Sequence, residues 1–173
     1  MIKYQNNMKG YLARKFLFAY YKYTYYICTY KIINMWTKSH SVVTKDVTKE
    51  QMWKLFADVN NWHTWDEGIE FAQMEGTFEK GNHFMLKPKG GPKVKVELLE
   101  TVVNKSFLDV TKFPLAKMYD NHTFEETTDG LKITNTISVK GPLSFIWIKL
   151  VAQNIVNALP VDMKKQIETA SKY

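Results

Sequence analysis

Four histidines, one cysteine and a few carboxylates are the residues of this 173-residue chain best suited to chemistry, and their spacing narrows what that chemistry is. His40, His63, His83 and His122 stand far apart, and none falls in the His-Glu-x-x-His or His-x-His spacing that would hold a metal. Cys28 is alone, which excludes an intrachain disulfide and a multi-cysteine metal site. No metal or cofactor is expected. There is no Gly-x-Ser-x-Gly elbow for a nucleophile. Lys89-Gly90-Gly91-Pro92 reads as a turn, and its proline removes a backbone donor that a phosphate would need. Asp66 and Glu67 are adjacent. Such a pair divides acid and base roles only if its surroundings push the two pKa values apart, and neighbouring loop carboxylates more often cap or face solvent. His122 shares strand parity with Met118 and Phe124, so alternation points it into an apolar face, and Asp120 with it. Two readings of His122 stand: a core histidine bonded to a neighbour, or a polar contact to a ligand in the interior. An inward Asp120 needs a partner. No residue is assigned a catalytic role.

The formal charge of +7 and pI near 9.3 invite a nucleic-acid or membrane partner. The charge is concentrated, however. Residues 1–34 carry six basic residues, among them the only arginine, Arg14, and no acid; residues 35–173 carry 18 lysines against 17 acids. Eight of the ten tyrosines also fall within residues 1–34. This composition break places a boundary at Asn34/Met35. The longest apolar run of the segment, Phe16–Tyr21, is far short of the ~20 residues a membrane span needs. Phe, Tyr, Met, Ile, Asn and Lys fill 24 of the 34 positions, the pattern of translated A/T-rich DNA. Residues 1–34 are therefore expected to be a disordered tail or a start-site artefact ahead of Met35, with a basic aromatic membrane-surface segment as the alternative.

The elements that must position His122 and its neighbours follow from periodicity. Trp36–Thr44 suits a short strand. Thr48 and Gln51 have capping-box spacing, and Met52, Trp53, Leu55, Phe56 and Val59 then recur at helical intervals, giving one buried face. Asp58–Trp65 reads as a turn or short helix with Trp62 and Trp65 on one side. From Gly68 to Val139 the pattern becomes strand-like, with Val94, Val96 and Leu98 alternating against Lys95, Glu97 and Leu99, and a hairpin signal at Asp129-Gly130. Leu131, Ile133, Ile137 and Val139 share a face. After Gly141-Pro142, Leu143, Ile146, Trp147, Leu150, Val151, Ile155 and Ala158 repeat at three and four, giving a long amphipathic helix that Pro160 should break or kink. Consecutive hairpins make an antiparallel sheet, and the helix is its natural cover. This is an α+β fold.

The order and spacing of Val47–Phe56, Asp58–Trp65, Glu75-Gly76-Thr77-Phe78, the Gly130 hairpin and Gly141-Pro142 resemble the START-like (SRPBCC) superfamily, closest to its polyketide cyclase/dehydrase-like branch, over residues 36–172. The resemblance implies the helix-grip fold, a curved antiparallel sheet of about seven strands wrapped around a long C-terminal helix, with short helices after the first strand. It also implies an apolar cavity between sheet and helix that takes a small hydrophobic ligand. It implies no single reaction, because carriers, cyclases, hydrolases and co-chaperones share the fold. On that reading Trp65, Asp66, Phe84, Leu86, His122, Phe124, Trp147 and Val151 are the expected ligand contacts, with His122 or Asp66 fixing orientation. For Trp147, core and cavity remain equally open. Residues 35–173 contain no arginine, so the pocket arginine that carboxylate- or enolate-binding relatives use, as the resemblance suggests, is missing. That absence favours an uncharged, apolar ligand and argues against guanine reading. The expected protein is cytoplasmic, with no membrane span and no nucleic-acid partner. It is a binder of a small hydrophobic molecule; the alternatives are a cyclase/dehydratase-type enzyme with His122 as acid or base, and a co-chaperone-like interaction module.

Overall fold

The computed structural model describes residues 35–173; the expected boundary at Asn34/Met35 and the tail reading of residues 1–34 lie outside the described residues. After the first strand, β1 (Trp36–Thr44), helix α1 (Lys49–Ala57) begins where the capping box predicts. Thr48 Oγ1 accepts the Gln51 amide at 3.2 Å, and Gln51 Oε1 accepts the Thr48 amide at 2.9 Å, so both ends of the box satisfy otherwise orphaned N–H groups. Met52, Leu55 and Phe56 form the buried side of α1. A 3-10 turn at Val59–Asn61 then leads into the single-turn α2 (Trp62–Trp65), which buries both tryptophans, and Trp62 Nε1 donates to the Phe56 carbonyl at 3.1 Å.

Six further strands follow: β2 (Ile69–Met74), β3 (His83–Pro88), β4 (Val94–Val102), β5 (Ser106–Phe113), β6 (Ala116–Thr127) and β7 (Gly130–Lys140). Among the described residues seven strands make one antiparallel sheet in the order β1-β7-β6-β5-β4-β3-β2. Each of β2 to β6 pairs with the next by a hairpin, and β1 pairs with the remaining edge of β7. The register shifts within β2–β3 and between Leu98 and Glu100 in β4–β5, whereas β5–β6–β7 pair without a shift. The strand parity read for His122 therefore holds, since an unshifted ladder keeps every second side chain on one face.

The C-terminal helix α3 (Ser144–Ala170) is continuous and runs through Pro160. The expected break does not occur. Leu159 and Met163, one on each side in sequence, are each only 2% exposed, and their packing keeps the axis in place against the ~3 kcal/mol a helix-interior proline costs. The stretch Ile148–Ala152 is π-helical. That wider turn advances fewer degrees per residue and swings Leu150 off the buried side. Ile146 and Leu150, expected in the buried stripe, are 36% and 61% exposed, while Trp147, Val151 and Ile155 remain packed.

The core has two parts. The larger gathers Phe56, Trp62, Trp65, Phe84, Leu98, Phe107, Phe124 and Ile133 with Met163 and Ile167 of α3. The smaller gathers Met118, Ile137 and Val139 with Ala152, Trp147 and Val151. A seven-stranded sheet with α3 packed on it is the helix-grip arrangement.

Gly130 and Gly141 hold the sheet to its connections. Both have φ in the left-handed range, at 136° and 129°, and a Cβ would fall 2.4 Å from the Thr44 and Leu115 carbonyl oxygens respectively. Gly141→Ala is expected to cost about 2 kcal/mol or more by chemical denaturation, since strained φ and a backbone clash act together. An unchanged denaturation midpoint would show that the junction relaxes freely.

Candidate functional site

The candidate site is built where three adjacent strands place polar residues on the buried face. In register, Leu98, Asp109, Asp120 and Ile137 are successive neighbours across β4, β5, β6 and β7. The next row toward the larger cluster is Phe107, His122 and Asn135. Asp109, His122 and Asn135 are 7%, 6% and 3% exposed, values that ordinarily belong to apolar side chains. The two rows lie between the apolar clusters, with Phe124 and Ile133 on one side and Met118 and Val139 on the other.

His122 is gripped by aromatic rings. Its imidazole stacks on Phe107 with centroids 4.3 Å apart and planes 13° apart, and Phe56 lies at 4.7 Å. Its Nε2 stands 3.0 Å from Asp120 Oδ1 and 3.2 Å from Asn135 Nδ2. Asp120 Oδ1 has no polar contact besides this imidazole among the described residues. Asn135 Oδ1 and Trp65 Nε1 have no hydrogen-bond partner among the described residues. A buried polar atom left unmade costs about 1–3 kcal/mol. One acceptor and one donor are thus left without a partner inside the domain.

Asp109 and Asp120 face each other directly across β5 and β6. Burial, and after it the Asp120 charge, holds the Asp109 carboxyl well above the usual carboxylate range and favours its neutral form. The pair thus presents one carboxyl biased to donate a hydrogen bond beside another placed against an imidazole. Chemically this arrangement can orient a carbonyl or hydroxyl group, and it can move a proton. Among the described residues no three His, Cys, Asp or Glu side chains converge to hold a metal ion.

The eight expected contacts separate into three places. Phe84, Leu86, Phe124 and Trp65 join the larger cluster, where Phe84 meets Trp62 edge-on at 5.0 Å and Phe124 stacks on Phe56 at 6.0 Å. His122 contacts the same cluster through Phe56 and Phe107. Trp147 and Val151 belong to the smaller cluster instead; Trp147 lies flat on Phe113 at 4.4 Å and donates Nε1 to the Pro114 carbonyl at 3.1 Å. Asp66 lines a cleft of about 190 Å³ with Trp65, Val161 and Asp162. Burial raises its pKa, opposed by the Gly68 N–H that bonds Oδ1 at 2.8 Å. Asp162 is raised by burial and then by Asp66, whereas Glu67 is lowered by its hydrogen bond to Lys165.

Asp109 and Asn135 escaped the sequence reading. Their signal was present: Asn135 sits in phase between Ile133 and Ile137, and Asp109 in phase between Phe107 and Thr111, so each interrupts an inward series.

Comparison with known proteins follows the same lines. The family model described as polyketide cyclase / dehydrase and lipid transport matches residues 35–168. No curated protein matches the chain by sequence. A START superfamily protein from Mycobacterium smegmatis has a similar structure, with a TM-score of 0.58 at 13% identity, covering 78% of this chain and 97% of that one. Norcoclaurine synthase from Thalictrum flavum, a point mutant in complex with a transition-state analogue, gives a TM-score of 0.61 at 11% identity and covers 80% and 94%. The di-domain ARO/CYC StfQ of the steffimycin biosynthetic pathway gives 0.61 at 9% identity, over 80% of this chain and 50% of that chain. At these identities the likeness shows the fold.

The raised Asp109 carboxyl has a thermodynamic consequence. A carboxyl whose folded-state pKa exceeds its unfolded value favours folding most when protonated. Its contribution is therefore greatest below the ordinary carboxylate pKa and declines as pH rises toward the raised value. Asp109→Asn removes that titration. It is expected to flatten the stability–pH curve above the ordinary carboxylate pKa of about 4 and to raise the thermal midpoint at neutral pH. A curve with the parent's slope would show that Asp109 is ionised in the folded protein.

Proposed function

Because the chain belongs to the polyketide cyclase / dehydrase and lipid transport family, we propose that it binds a small hydrophobic molecule between the sheet and α3, with the molecule's one polar end at His122, Asp120 and Asn135. The observation that carries this reading is the polar set of Asp120, His122 and Asn135 on the buried face beside the aromatic cluster, with Asn135 Oδ1 and Trp65 Nε1 left without a hydrogen-bond partner among the described residues. A domain that needed only a core would fill these positions with apolar side chains. The aromatic residues around them supply the apolar contact, at ~25 cal/mol for each Å² removed from water. Lack of any arginine in residues 35–173 favours a neutral polar end such as a carbonyl or hydroxyl.

One observation supports a second reading. His122 stands 3.0 Å from Asp120, and burial raises the carboxyl pKa of Asp109 opposite Asp120, which are the components of a proton-transfer set. The same interior would then act on a carbonyl compound as a cyclase or dehydratase does.

Native mass spectrometry of the gently purified full chain is expected to show a bound small molecule that is lost on unfolding. His122→Ala is expected to weaken rebinding of that molecule about tenfold, the effect of removing one hydrogen bond in a dry site. A chain that carries nothing, and that binds fluorescent apolar probes equally well with and without His122→Ala, would sink the binding reading. Turnover of a panel of polyketide-like carbonyl compounds, lost in His122→Ala while binding persists, would select the enzyme.

A further inference from the structure

The end of the domain that holds the smaller cluster presents apolar and basic side chains together, and we propose that this end docks on an anionic phospholipid bilayer. This goes beyond the ligand-binding reading and does not depend on it. At the tip of the β5–β6 turn, Leu115 takes a left-handed φ of 54° and is 66% exposed. It is not held loosely. Its carbonyl accepts the Leu143 amide at 3.2 Å, and the preceding Pro114 carbonyl accepts Trp147 Nε1 at 3.1 Å. The fixed tip stands beside the start of α3, where Ile146 and Leu150 face outward, Leu150 within the π-helical stretch. Within residues 144–161 of α3 only Ala152 and Leu159 are fully buried, and the outward Ile146 and Leu150 add to the apolar surface of the Leu115 tip.

Charge decides which partner suits that surface. Lys117 and Lys140 are direct register partners at the end of β6 and β7, and Lys149 lies on α3. Like charges placed opposite each other repel. No acid occurs from Gly130 to Val161 to relieve them, and among the described residues none of these lysines forms an ion pair. Lys140 Nζ lies over the Tyr119 ring at 4.9 Å, and no carboxylate among the described residues neutralises the three lysines, so the face carries net positive charge that an anionic partner would complement. A second copy would bring the same lysines against themselves across a two-fold axis, which disfavours self-association. An anionic bilayer supplies phosphates at the depth of the lysines and acyl chains at the depth of Leu115 and Leu150.

The test uses the full chain with sedimented vesicles of phosphatidylcholine alone or mixed in equal parts with phosphatidylglycerol. Binding to the mixed vesicles, weakened by salt, is expected. The double variants Leu115→Asp/Leu150→Asp and Lys117→Glu/Lys140→Glu, checked for folding by circular dichroism, are each expected to weaken it about tenfold or more. The proposal fails if the parent ignores the anionic vesicles. It fails equally if both variants bind as the parent does, which would place the contact elsewhere, residues 1–34 included. Concentration-dependent dimerisation abolished by Leu115→Asp/Leu150→Asp would assign the surface to a second copy and overturn it as well.

Discussion

The domain depends on how one helix is held against one face of a curved sheet. α3 is fixed by apolar contact near each of its ends: Leu159, Met163, Ile167 and Ala170 toward the C-terminus, and Trp147, Val151 and Ala152 toward the N-terminus. Between these anchors the facing strands carry Asp109, Asp120, His122 and Asn135. Apolar burial stabilises the two ends, and incompletely paired polar groups load the middle with a desolvation cost. A sheet face organised for stability alone would run its apolar rows without interruption.

That division explains why the aromatic residues crowd where they do. Phe56 reaches from α1 to touch Trp62, Trp65, Phe107, Phe124 and His122. It joins the entry helices to the sheet at the row where polarity begins. His122 is flat against Phe107, so its ring plane is set by stacking and its nitrogens are directed along the sheet toward Asp120 and Asn135. Orientation by packing, with polar contacts added afterwards, is the usual route to a group held ready for a ligand. Asp109 completes the set from the neighbouring strand, and its neutral form avoids placing two charges opposite each other in a dry interior.

The surface follows a similar logic at the other end of the molecule. The π-helical stretch at Ile148–Ala152 keeps Trp147 and Val151 on the sheet while turning Leu150 outward. A regular helix would have buried a broader stripe and left less apolar surface at the Leu115 turn. The same local irregularity therefore sets both the smaller core cluster and the face beside Lys149.

Much of this was legible in the residues. The capping box at Thr48 and Gln51, the alternation of β4, the Gly130 hairpin and the inward parity of His122 are local properties, fixed by hydrogen-bond geometry and by the period of the strand. The sequence by itself determined the α+β order, the antiparallel hairpins and the long final helix. It did not determine the whole polar set, because Asn135 reaches His122 and Asp109 reaches Asp120 through strand register across β5, β6 and β7. Nor did it determine that Pro160 would stay helical, that Ile146 and Leu150 would face outward, or that Trp147 would join a different cluster from Trp65. Those outcomes depend on contacts between residues far apart in the chain, where packing against the sheet outweighs the local preference of proline and the simple helical period.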